Sequence, residues 1–279
     1  VTPPAGYGGK AWVFGALHAG SKDLYPLPLQ VLSRWEASDV LAIELDVQTR
    51  RDELVGEFLK STQLPEGRLL DDYLDRDTIN TLRQRFAITD ERWARLARLQ
   101  PWTLTRVLRG AGGRPGNARR YLGTEQIFLS KARERRIPRV ELERPAEQVA
   151  ALTGGPLSEQ LALLRYRVRR PEFWTSKIEE LIQAWRRGDE KSLLGLKQRE
   201  FGRERPNADR ARDVRAGLRE RLFAARDRLM AHRLIEQLRE PRTVFAVVGT
   251  YHLVGQNNIL SQLSALGATV QRIDYDSTH

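Results

Sequence analysis

The chain has 279 residues, 41% hydrophobic and 30% charged, which is the balance of a globular protein with material for a sizeable core. It has no cysteine, which excludes disulfides, thiol catalysis and thiolate metal sites, and its net charge of +11 comes from 40 arginines against 7 lysines. No apolar run approaches the roughly 18 residues that a membrane-spanning helix needs. The first residue is Val1 rather than Met, which reads as a mature or trimmed chain from which a leader or anchor could have been removed. The lack of cysteine fits an oxidising compartment such as the periplasm. The arginines are interleaved with acids, as in Arg199-Glu200, Arg203-Glu204-Arg205 and the stretch Arg219 to Arg228. Mixed signs of this kind make solvated helix faces laced with weak ion pairs, so no nucleic-acid partner is expected.

Ala11 to Gly15 reads as a short buried strand running into Gly-Ala-Leu-His, and Pro28 to Ala37 has the apolar spacing of a helix. Val40 to Asp46 is a continuous apolar run with acids at its end, the pattern of an interior parallel strand. Helical segments dominate from Arg50 to Gly110, and Arg109 to Asn117 is a loop by its glycines and proline. Gly123 to Arg133 reads as a helix and Arg139 to Glu143 as a strand. A helix-rich stretch then runs from Ala146 to Glu240. Thr243 to Val248 is the next strand, ending in Gly-Thr-Tyr-His; a helix over Ile259 to Leu266 and a strand over Thr269 to Asp274 close the chain.

Strands alternating with helices at both ends predict an α/β fold around a mostly parallel sheet. No sharp linker divides it, so residues 1–279 read as one domain, with 146–240 as a helical insertion or cap. The two ends echo one another: a strand, Gly-x-x-His, a helix, then a strand ending in acids. Two βαβ-like halves produce this pattern by duplication, or by chance among βαβ units.

Of the four histidines, His18 and His252 each lie three residues after a glycine, Gly15 and Gly249, just past a strand. Ligands of parallel sheets bind in the crevice beyond the carboxyl ends of the strands, and a glycine there permits a sharp turn or a close approach. The plainer alternative is a pair of histidines bonding to loop carbonyls. Glu44 lies within Val-Leu-Ala-Ile-Glu-Leu, where a carboxylate is costly to bury unless paired or metal-bound. Two histidines and one carboxylate form the ligand set of several catalytic metal sites. Alternatively Glu44 already lies at the exposed end of its strand, as its neighbour Asp46 does.

Arg226 is four after Leu222, three after Phe223 and four before Met230, which puts it on an apolar helix stripe flanked by Asp227. A buried arginine needs carboxylate partners or an anionic ligand, unless it snorkels along the helix edge. Glu141 and Glu143 share one face of their strand, towards the site or towards water. His232 reads as helix surface and His279 as terminal tail. No Ser-His-Asp arrangement, P-loop or dinucleotide fingerprint is present.

These stretches together resemble the TraB/GumN family, whose relatives include the Tiki metalloproteases. Trp12-Val13-Phe14-Gly15-Ala16-Leu17-His18 resembles its opening strand and Ala42-Ile43-Glu44-Leu45-Asp46 its acidic second strand. Tyr121-Leu122-Gly123-Thr124-Glu125 and Val140-Glu141-Leu142-Glu143 with Gln148 resemble its central blocks, as does Ala184-Trp185 with Gly188-Asp189. Arg226-Asp227-Arg228-Leu229-Met230-Ala231 is similar to its Arg-Asn helix, and Val247 to Gly255 to its closing motif. Asp227 stands where the family usually has Asn, and Glu125 where it usually has Asp; each keeps an oxygen ligand but changes charge or reach.

The resemblance implies a Tiki-like α/β fold, related to erythromycin esterases and ChaN-type haem-binding proteins, with His18, Glu44, Arg226 and His252 lining the active site. The expected activity is metal-dependent hydrolysis of peptide bonds. His18 and His252 would hold a divalent Mn, Co or Zn ion, Glu44 would be third ligand or base, and Arg226 would meet an oxyanion or a substrate carboxylate. Glu125, Glu141, Glu143, Asp227, Gly15 and Gly249 are further site-lining candidates. Two alternatives stand beside this: a metal-free, esterase-like hydrolase using a histidine base that Glu44 orients, or a non-catalytic protein binding peptide or haem. The expected partner is a peptide or protein substrate, with a membrane tether outside this chain possible in principle. The expected location is the bacterial cell envelope.

Overall fold

A computed structural model describes residues 1–111, 123–170, 173, 178–203 and 213–274. Its centre is a four-stranded sheet of β1 (Lys10–Ala16), β2 (Val40–Ile43), β3 (Arg139–Glu141) and β4 (Thr243–Gly249). The spatial order is β1-β4-β2-β3, and every neighbouring pair is parallel. The α/β fold expected from the alternation of elements is the fold observed. The last strand in sequence, β4, takes a central place, with Trp12 opposite Phe245 on one side and Leu41 opposite Phe245 on the other. Its burial explains its composition, Thr-Val-Phe-Ala-Val-Val-Gly, apolar throughout because both faces are covered.

The two-residue period of the strands feeds two separate cores. Leu41, Ile43, Phe245 and Val247 pack with Trp35, Phe128 and Trp185 on one face, under helices Leu29–Glu36, Thr124–Arg135 and Ile178–Arg186. Val40, Ala42, Val244, Ala246 and Val248 pack on the other with Met230, Leu234 and Leu263, from helices Ala225–Gln237 and Ile259–Ala265. A third core, apart from the sheet, joins Leu70, Leu82, Leu104 and Leu108 to Leu161, Leu164 and Val168. A fourth, smaller core joins Leu45 and Leu54 to Val149, so the helix-rich residues after 145 are shared among all four. Among the described residues no helix is long and apolar enough to cross a membrane.

The segment Thr269 to Asp274, expected as a strand, does not join the sheet. Val1 already occupies the free edge of β1, bonding Ala11 through both its ammonium (2.8 Å) and its carbonyl (3.0 Å). Thr269 therefore meets only Thr2, as an isolated antiparallel bridge, and residues 271–274 are exposed. The first β-helix-β half is present with β4 inserted between its strands, while among the described residues the second half has no closing strand in the sheet. β2 ends at Ile43 rather than Asp46, so Glu44 starts the loop beyond it. The region Arg109 to Asn117, expected as a loop, begins within a helix that runs to Ala111; the rest lies outside the described residues.

Candidate active site

All four strands deliver their carboxyl ends to one edge, and the charged residues gather there. Glu44 follows β2 and is buried. Its Oε1 accepts the backbone N–H of Gly249 at the end of β4, and its Oε2 accepts from Arg226 at 2.9 Å. Hydrogen bonding continues past β2 and β3, with Glu143 N–H donating to Glu44 O at 2.8 Å, so the two carboxylates are held side by side. Such a pair is tolerable only with a shared cation. Arg226 supplies it: Nε and Nη2 grip Glu143 at 2.6 and 2.7 Å, the same Nη2 reaches Glu44, and Nη1 donates to Leu222 O at 3.1 Å. Burial alone would push the Glu44 carboxyl up, but the charges of His252, Arg226 and His18 and the Gly249 N–H hold it well below its ordinary range.

Arg226 reaches this position from an unusual helix. Residues Ala216–Arg219 are α-helical, Glu220–Ala224 form a π-helical turn, and Ala225–Gln237 continue as α-helix. A π-turn shifts the phase of side chains that follow it. Asp227, expected only to flank the stripe, becomes one of the most buried residues in the chain at 1% exposure. Its Oδ1 lies 2.5 Å from His252 Nδ1, and its Oδ2 is buried without a hydrogen-bond partner. Burial raises the Asp227 pKa, opposed by the bond to His252.

The two Gly-x-x-His motifs end in equivalent ways. His252 leads its Nδ1 to Asp227 and His18 leads its Nδ1 to Glu125 at 2.5 Å. An ionised carboxylate only accepts, so each Nδ1 carries a proton, and whenever the ring is neutral it is Nε2 that holds the lone pair. Glu125 is brought in by the start of helix Thr124–Arg135. Leu17 N–H donates to Thr124 Oγ1 and Thr124 N–H to Leu17 O, both at 3.0 Å, and Gly123 is required because a Cβ there would meet Leu17 O at 2.8 Å. Crowding disfavours charge on His18, but the bond to Glu125 and the charges of Glu125 and Glu44 prevail and raise its pKa to about 9. Its ring is nevertheless 67% exposed, because it faces the mouth of an open cavity.

Gly249 is where the groups converge. A Cβ placed there would lie 3.2 Å from both Glu44 Oε1 and His18 Nε2 and 3.5 Å from His252 Cδ2. His252 Nε2 itself stands 3.9 Å from Glu44 Oε1. Gly15 serves packing instead: a Cβ would meet Leu253 Cδ1 at 2.9 Å and Thr250 Oγ1 at 3.1 Å, closing the space the β4 loop needs.

Glu141 points elsewhere. It accepts from Asp46 N–H at 3.1 Å and Arg50 Nε at 3.0 Å, on the wall of a second cavity of about 770 Å³. Glu143 touches that cavity too, but its carboxylate belongs to Arg226. Asp46 is buried and bonded to Thr49 and Arg133 rather than exposed. His232 lies on the exposed helix face, as expected, while His279 and the motif residues Tyr121 and Leu122 lie outside the described residues. One supporting residue was missed in the sequence. Lys197, buried in helix Glu190–Phe201, donates to Tyr251 O at 2.7 Å and Val254 O at 2.9 Å, clamping the loop that bears His252. Its position four after Leu193 and next to Leu196 was the available signal.

Among the described residues no three His, Asp or Glu side chains stand close enough together to hold a metal ion. The donor chemistry does fit a divalent cation at the two imidazoles. Both Nε2 atoms are left open, both rings are backed by carboxylates in the manner of metal-ligating histidines, and the cradle beside Gly249 has no side chain filling it.

A parallel α/β sheet carrying two carboxylate-backed histidines and an arginine-bridged glutamate pair at its carboxyl edge defines the class of protein. The chain belongs to the TraB/PrgY/gumN family, whose sequence model matches residues 5–272. It is similar to the uncharacterized protein YbaP of Escherichia coli strain K12, at 24% identity over 252 residues, covering 90% of this chain and 86% of that protein. YbaP of Shigella flexneri is similar to the same extent. No solved structure matches the chain.

Proposed function

We propose that this protein is a metal-dependent hydrolase of peptide bonds. The observation that carries the reading is the convergence of His18 Nε2, Glu44 Oε1 and His252 on the space beside Gly249, each histidine backed by its own carboxylate. His18 and His252 would hold a divalent cation, Mn, Co or Zn, with Glu44 beside them; the ion would supply an activated water and polarise the scissile carbonyl.

The protein's own groups have distinct tasks. Asp227 and Glu125 fix the tautomers and aim of the two rings. Glu44, kept ionised by Arg226 and the Gly249 N–H, would accept a proton from water at Oε1. Arg226 has four of its five N–H groups committed to Glu143, Glu44 and Leu222, so it acts as a positioning residue for Glu44 rather than as a donor to substrate.

A second reading is favoured by the solvent-facing His18–Glu125 dyad, which has the arrangement of a general base and its orienting acid without any metal. The deciding experiment measures metal content and peptide hydrolysis for the purified protein, the chelated protein and a His18→Ala/His252→Ala double variant. About one divalent ion per chain, lost together with activity in the variant, supports the metal reading. Full activity after exhaustive chelation transfers the case to the His18–Glu125 base, and full activity in the double variant defeats both.

A further inference from the structure

His18 stands at the mouth of a cavity of about 640 Å³, within the roughly 300–1,000 Å³ of small-ligand sites. The cavity lies between the third core and the sheet, and its wall carries Arg106, Arg109, Arg167 and Arg221, while among its described lining residues there is no carboxylate. Arg109 and Arg167 stack on the same Phe173 ring, each 4.7 Å from its centroid. Arg109 reaches Glu200 at 2.7 Å and Arg221 grips Glu159 at 2.6 and 3.0 Å, so the wall is built rather than loose. Burial, with Arg109 and Arg215 nearby, makes the charge on Arg167 costly enough to lower its pKa to about 10. An anion in the cavity relieves that cost.

Gln160 and Arg221 brace that wall from behind: Gln160 gives its N–H groups to Gln100 Oε1 and Gly155 O, and its own Oε1 and Arg221 Nε are buried away from the cavity. Trp102, Leu163, Leu218 and Leu222 supply apolar surface between them. A bare inorganic anion would use the arginines but leave this apolar surface uncovered.

We propose that this cavity is a subsite for an anionic peptide segment. Its carboxylate sits among Arg106, Arg109 and Arg167, and its apolar side chains lie on Trp102 and Leu222, which brings the chain past His18. The carboxylate comes from a chain terminus or from an acidic side chain. Placement of the scissile bond rests on the hydrolase reading; binding does not.

The test is calorimetric titration of the full chain with three N-acetylated tripeptides: an apolar one with a free terminal carboxylate, the same one amidated, and an amidated one containing aspartate. A charged peptide is expected to bind about tenfold or more tightly than the neutral one, in keeping with one or two charge-assisted hydrogen bonds. Binding of the terminal carboxylate alone, or of the aspartyl peptide as well, identifies the source of the charge. Arg106→Gln and Arg109→Gln, both at exposed positions, should each cost several-fold to tenfold, with melting temperatures measured alongside. Equal affinity for charged and neutral peptides, no binding of any, or binding untouched by both variants in folded protein overturns the proposal. Charged peptides that bind but are never cut leave it standing and remove the hydrolase reading. Neutral peptides cut as fast as charged ones remove it and leave the hydrolase.

Discussion

The ends of β1 and β4 carry the same motif, the same backing carboxylate and the same open Nε2, yet one is wet and the other dry. His18 is 67% exposed at the mouth of a cavity, and His252 is 4% exposed beneath helix Ala225–Gln237. The difference arises from position in the sheet. β1 is an outer strand, covered by the N-terminal residues, whereas β4 is central and its loop is capped by Phe223 and clamped by Lys197. Equal chemistry thus becomes unequal physics: one histidine is a fixed post and the other can meet a ligand from solvent.

The largest expected effect lies in the dry half. Arg226→Ala strands Glu44 and Glu143 together, and breaking a buried pair in this way typically costs about 3–5 kcal/mol. Chemical denaturation should show that loss, and Arg226→Lys should recover little of it, because lysine lacks the planar fork. A wild-type unfolding midpoint for Arg226→Ala would mean the network is not buried as described.

Next is the direct comparison of histidines. His252→Ala leaves Asp227 buried with neither oxygen bonded and should cost about 1–3 kcal/mol. His18→Ala loses only a partly solvated pair with Glu125 and should cost less than His252→Ala. Metal binding and hydrolysis should fall in both, and equal stability losses would erase the asymmetry.

Gly249→Ala tests the point at which both halves meet. Its Cβ would press on Glu44 Oε1 and His18 Nε2, at 3.2 Å each, so activity should drop by about tenfold or more while overpacking costs only about 1–3 kcal/mol. Retained activity would show that substrate chemistry does not pass through this cradle.

The smallest effect is a shift in titration. On the metal-free protein, the His18 ring should titrate near pH 9, against 6.5 for a free imidazole, when followed by NMR. Because its folded pKa is the raised one, the stability contributed by the His18–Glu125 pair is complete below pH 6.5 and is lost as pH rises through about 9. Glu125→Gln should lower the His18 pKa and narrow that window; an unmoved titration would remove Glu125 as its cause.

Much of the site was legible in one dimension because its signals are local. A glycine three before a histidine at a strand end, a carboxylate in an apolar run and an arginine on an apolar stripe each violate a short-range rule and so mark themselves. Hydrophobic periodicity likewise gave the α/β class, since strands buried on both faces must be apolar throughout. Glu141 and Glu143 show the limit: two residues on one strand face look alike in sequence, yet one meets Arg50 and the other Arg226.

Tertiary structure alone decided what depends on distant partners. The sequence marked the four strands of the sheet, their apolar faces and four charged residues that the fold brings to one edge. It did not specify that β4 threads between β1 and β2, since strand order is a choice among packings of similar local sequence. Nor did it specify that Val1 takes the edge expected for Thr269 to Asp274, that a π-turn rotates Asp227 onto His252, or that Lys197 holds the loop. Each rests on contacts between residues far apart in the chain, such as Asp227 with His252 or Glu44 with Arg226, whose energy exists only once the layers have assembled.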